Sequence, residues 1–170
     1  VYIMPYEVGA SSQNWFEFFN RFLVYAEMGI LVASAVCMIL MSILSKQQRI
    51  IYFCLAIGMI AIGVYAIDYT PIVVIPLNYL YYKKIVMISF WTATMFYSVA
   101  IGKIFKFRLA IVTGIVGFIG IVLIALFSKD MIQFQSAYKF WYISQFVNVI
   151  TWIVATARVY RSRIESKVFI

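Results

Sequence analysis

The sequence predicts an all-α fold: a polytopic membrane helix bundle of about five transmembrane helices, preceded by an N-terminal interfacial amphipathic helix. Three observations carry this reading. Of the 170 residues, 65% are hydrophobic and only 12% are charged, where soluble domains carry about 25% charged residues. Mean hydropathy is +0.98. Five apolar runs are each about 18 to 24 residues long, and about 20 are needed to cross a bilayer core. The expected division is an outer interfacial segment at 1–21, a five-span bundle at 22–158 and a cytoplasmic basic helical tail at 159–170. This leaves no length for a separate soluble domain.

The first element is "SSQNWFEFFNRF". Trp15, Phe18, Phe19 and Phe22 recur at i, i+3, i+4, i+7, while Gln13, Glu17, Asn20 and Arg21 take the other face. That pattern suits a helix lying in the membrane interface, or one packed on the end of the bundle. Five spans follow, at roughly 22–45, 50–68, 84–104, 108–127 and 138–158. All three prolines, Pro5, Pro71 and Pro76, lie outside them, so no span carries a proline break. Between the second and third spans, "TPIVVIPLNYL" (70–80) is too short to cross and reads as an outer loop of extended or re-entrant character. The final "ARVYRSRIESKVFI" continues the fifth helix, with Arg161 and Glu165 spaced to pair.

Basic residues set the expected orientation. With the N-terminus outside, the inner side holds Lys46, Arg49, Lys103, Lys106, Arg108, Arg158, Arg161, Arg163 and Lys167. The outer side holds Arg21, Lys83, Lys84, Lys129 and Lys139. Nine against five favours an outer N-terminus and a cytoplasmic C-terminus in a plasma or inner membrane. The same clusters explain the net charge of +8 as contacts with anionic lipid at the inner face, and no nucleic-acid partner is expected. No basic stretch precedes an apolar core at the N-terminus, so no signal peptide is visible. A removed signal and an excised segment of a longer protein both fit.

Absences narrow the chemistry. The chain has no histidine, which excludes histidine-ligated haem, the usual zinc sites and histidine general-base catalysis. Cys37 and Cys54 fall in different spans and read as small buried hydrophobes. No lysine lies mid-span, Asp68 and Asp130 fall at helix ends, and no nucleotide-binding glycine motif occurs. Neither a catalytic residue nor a metal or cofactor is expected, and the chain is not read as an enzyme.

Glu27 is the sharpest single feature, inside "FLVYAEMGILVASAVCMILMSIL" (22–44). It falls about 7 Å below the start of its span at 1.5 Å per residue. A carboxylate at mid-span costs about 2.5–3.5 kcal/mol on insertion scales and less toward the interface. Protonation, a basic partner such as Lys84, or a ligand- or ion-binding role would each account for it. On the fifth span Ser144, Asn148, Thr151 and Ala155 recur at i, i+4, i+7, i+11, with Gln145 beside Asn148. Ser89, Thr92 and Thr94 on the third span are natural counterparts. The stripe reads as interhelical glue, or as a polar pocket lined by Gln145, Asn148, Trp91 and Trp141 near Glu27. Gly114, Gly117 and Gly120, and the Gly29–Ala33 step, mark close helix or subunit contacts.

On the stretch "YAEMGILVASAVCMILMSILSKQQRIIYFCLAIG", the order of elements over about the first two hairpins resembles bacterial multi-span sensor input domains, the seven-transmembrane diverse intracellular signalling module nearest among them. It shares a glycine in the first span, a short basic turn and an aromatic-rich second span. The resemblance implies a signal-sensing module whose basic tail leads onward to an output. Two other readings stand beside it: an accessory or anchor subunit of a larger membrane complex, and a small transporter coupled through Glu27. Unbroken helices speak against the transporter. The expected partners are the lipid bilayer and either further copies of the chain or other membrane subunits.

Overall fold

A computed structural model describes residues 6–67 and 78–168. Within them the chain forms five helices in series: α1 (Tyr6–Leu44), α2 (Arg49–Ala66), α3 (Tyr79–Ile104), α4 (Arg108–Phe127) and α5 (Met131–Val168). Each has a segment long and apolar enough to cross a membrane. The 20 residues of α4 extend about 30 Å at 1.5 Å per residue, the thickness of a hydrocarbon core. The chain is an all-α integral membrane bundle.

Helix ends follow local chemistry. The expected N-terminal amphipathic helix is joined to the first span without interruption, as α1 covers 39 residues. No proline or glycine falls between Gly9 and Gly29 to break it. The third helix starts at Tyr79, five residues earlier than the apolar run indicates, because the Asn78 side chain accepts the Leu80 N–H at 3.0 Å. The fifth starts at Met131 rather than 138. There Asp130 Oδ1 accepts the Gln133 N–H at 2.8 Å and Gln133 Oε1 accepts the Lys129 N–H at 3.1 Å, a reciprocal cap of the capping-box type. The loop expected at 70–80 lies mostly outside the described residues, as do the side chains of Trp15, Phe19 and Glu165.

The α3–α4 turn is three residues long. Lys106 takes φ 52°, and the Phe107 N–H reaches back to the Gly102 carbonyl at 2.9 Å. This is a Schellman closure with lysine in the left-handed position where glycine is usual. Antiparallel succession of the helices collects Lys46, Arg49, Lys103, Lys106 and Arg108, all exposed, at one end of the bundle.

Packing is serial: α1 lies on α2, α2 on α3, α3 on α4 and α4 on α5, with a lesser α3–α5 contact. The third helix is the centre, and α1 is peripheral. Lipid tails match apolar side chains, so helices associate through close approach and polar contacts, and small residues dominate the buried set: Ala56, Ala61, Ala93, Ala100 and Ala110. Large apolar side chains point outward, Leu126 at 73% and Phe127 at 77% exposure. That surface would be untenable in water and suits lipid.

Candidate functional site: a polar layer between three helices

Successive inward turns of α5 build the site. Trp141 comes first, then Ser144 and Gln145, then Asn148, then Thr151 and Trp152. Their neighbours come from α3 and α4. Trp91 on α3 meets Trp141 edge to face, centroids 6.3 Å apart at 79°. Gln145 Nε2 donates to Thr94 Oγ1 at 3.2 Å, and Thr94 in turn donates to the Phe90 carbonyl. Trp152 Nε1 donates to Ser98 Oγ at 3.1 Å. Thr113 on α4 lies 3.4 Å from Thr151, hydroxyl to hydroxyl. The layer is thus closed at one level by two indoles and at the other by the Trp152–Ser98 bond.

The α4 glycines create the room for these side chains. All three are buried. A methyl group at Gly114 would collide with Ser98, one at Gly117 would lie 2.5 Å from Trp91 Cζ3 and 3.0 Å from Ser144 Oγ, and one at Gly120 would overlap the Trp141 indole. Each glycine therefore seats a side chain of a neighbouring helix, and Gly117 is flanked by two, Trp91 and Ser144. The Gly29–Ala33 step differs: both residues are exposed, and nothing lies within 4 Å of a methyl group at Gly29. On α2, Gly58 likewise seats an aromatic: a methyl group there would lie 2.7 Å from the Tyr97 ring.

The layer is incompletely satisfied within the chain. Asn148 is 0% exposed, and both its Oδ1 and Nδ2 lack a hydrogen-bond partner among the described residues, as do Ser144 Oγ and Gln145 Oε1. Each buried polar group left unpaired costs about 1–3 kcal/mol. Four such atoms would consume much of the roughly 5–15 kcal/mol that stabilises a typical domain. Thr151, by contrast, donates to the Asn148 carbonyl of its own helix at 2.7 Å, and Thr92 likewise bonds the Ile88 carbonyl at 2.8 Å. Of the α3 counterparts expected from sequence, Thr94 bonds to α5, whereas the Thr92 hydroxyl bonds within α3.

The two charged candidates are placed apart from this layer. Glu27 is exposed on α1 and has no hydrogen-bond or ion-pair partner among the described residues. Lys84 is half-buried and donates to the Ser128 carbonyl at the α4–α5 connection, with the Tyr81 ring 5.8 Å away. The ion pair expected between them is not formed, because α1 packs along α2 and shares no substantial interface with α3 or α5. The polar pocket near Glu27, the alternative to interhelical glue, is divided for the same reason, with Glu27 apart from Gln145 and Asn148. Cys54 is buried as expected, whereas Cys37 is exposed on α1. Among the described residues no cluster of three or more His, Cys, Asp or Glu side chains could hold a metal.

Sequence reading missed Ser98, Trp152 and Thr113. A signal existed for two of them: Ser98 follows Thr94 by four residues and Trp152 follows Asn148 by four, so each extends a polar stripe already in view. No family model, characterised protein or solved structure matches the chain. The class defined by fold and site is an integral membrane helix bundle with a polar layer at the α3–α4–α5 junction.

Proposed function

We propose that this chain is a non-catalytic signal-receiving and signal-transmitting membrane module, with an outer N-terminus and a cytoplasmic C-terminus. One observation carries the reading: α5 holds the polar layer and runs on, as the same helix, through Arg158 and Arg161 to Val168. It packs on α4 and more lightly on α3, so repacking of the layer would move the basic end of the helix as a rigid rod. The exposed basic end of the bundle suits anionic headgroups at the cytoplasmic face, which would bias that movement.

The test is a distance measurement. Spin labels at Leu126 and Arg158, in nanodiscs of neutral or anionic lipid, report α5 against α4. The reading expects two resolved distance populations whose ratio changes with lipid charge, and a single population when Asn148→Leu replaces the carboxamide. One unchanging distance under all lipid conditions would remove the transmitting role.

A second reading, a subunit of a larger membrane complex, is favoured by α1. That helix has a single extensive neighbour and an exposed carboxylate at Glu27. Co-purification of a fixed partner from native membranes, lost on Glu27→Leu with insertion intact, would select it.

A further inference from the structure

The unpartnered atoms of the polar layer define what it can hold. On α5, Ser144 and Asn148 are separated by four residues and Gln145 and Asn148 by three, so their side chains are helix-surface neighbours. Together they offer the Asn148 amide donors, the Asn148 and Gln145 carbonyl acceptors and a Ser144 hydroxyl that does either. A bare cation could use only the acceptors and would face the Asn148 Nδ2 donors. An anion would meet two carbonyl oxygens. No charged side chain belongs to the layer to balance an ion in low dielectric. A neutral species that donates and accepts satisfies the set.

Size is bounded by α4. The space beside Ser144 Oγ is so narrow that one methyl group on Gly117 would come within 3.0 Å of it and 2.5 Å of the Trp91 ring. The contact excludes a bulky occupant beside Gly117, and a buried water typically makes about three hydrogen bonds to groups of this kind.

We infer that Asn148, Ser144 and Gln145 form an internal water-binding site between α3, α4 and α5. Water bridges the Asn148 carboxamide to Ser144 Oγ and Gln145 Oε1, completing the hydrogen bonds that the protein leaves open. The site rests on this geometry and does not depend on the signalling role.

The full chain in nanodiscs, labelled with 15N asparagine, tests the site by NMR. The Asn148 side-chain signal is assigned by its loss in Asn148→Leu, or by retention when Asn14, Asn20 and Asn78 are all replaced by Gln. The expected result is a cross-peak from Asn148 Nδ2–H to water, with exchange into D2O slower than that of the exposed Asn78 by at least tenfold. Cross-peaks only to protein or lipid carbons would overturn the inference. Unfolding in mixed micelles supplies a second arm. Asn148→Leu is expected to lower the folded-to-unfolded ratio at least threefold, and Ser144→Ala to lose at least half its effect in that background. A more stable Asn148→Leu, or fully additive effects, would show that no shared water exists.

Discussion

Gly120→Ala places a methyl group inside the Trp141 indole. Trp141 Cε2 stands 2.6 Å from that carbon, with two further ring atoms closer still. Ordinary carbon–carbon contact begins at about 3.5 Å, so the ring must retreat by at least about 1 Å. Its edge-to-face contact with Trp91 and the neighbouring Ser144–Gln145 turn resist that retreat. Overpacking of this kind costs about 1–3 kcal/mol, offset by up to about 1 kcal/mol from the better helix propensity of alanine. The net expectation is a loss of about 1–2 kcal/mol, or about five- to thirtyfold in the folding equilibrium. Reversible unfolding in mixed micelles reads this directly. Gly29→Ala is the internal comparison, since open space surrounds it, and it should be neutral or slightly stabilising. Trp141→Leu should absorb much of the Gly120→Ala cost, with a coupling of at least about 0.5 kcal/mol. If Gly120→Ala is as stable as the parent, or equally harmful in the Trp141→Leu background, the seating of Trp141 in the α4 glycine notch is refuted.

Three further outcomes follow from named contacts. Lys106→Gly should stabilise the bundle by about 0.5–1 kcal/mol, because the left-handed turn at φ 52° carries a penalty for any side chain; unchanged unfolding would show that the turn is not held in that conformation. A double-mutant cycle with Trp152→Phe and Ser98→Ala, read by the same unfolding, should give a coupling of about 0.6–1.7 kcal/mol for the 3.1 Å bond, and additivity would remove it. Glu27→Leu should improve membrane insertion of the first span in a glycosylation-based insertion assay without loss of bundle stability, because the carboxylate has no partner among the described residues; a destabilised bundle would mean that Glu27 is paired.

What the sequence determined by itself is the number of spans, their helical class and the residues able to make polar contacts in lipid. Those properties depend on run length and composition, because an apolar stretch of about 20 residues meets the bilayer's thickness and must satisfy its own backbone hydrogen bonds. The Asn148 stripe and the glycines of α4 were legible for the same reason, as polar and small residues stand out where every other position is apolar. Tertiary structure alone decided which of these features meet. Gly29–Ala33 and Gly114–Gly117–Gly120 look alike as sequence, yet the former lies on an exposed face and the latter seats Ser98, Trp91 and Trp141. Glu27 and Lys84 are expected on the same side of the membrane, yet α2 stands between their helices and Lys84 turns to the Ser128 carbonyl. With no hydrophobic force to orient one apolar helix against another, the rotation of each span is set by its complement on a neighbour, distant in sequence. Local pattern does not encode that complement.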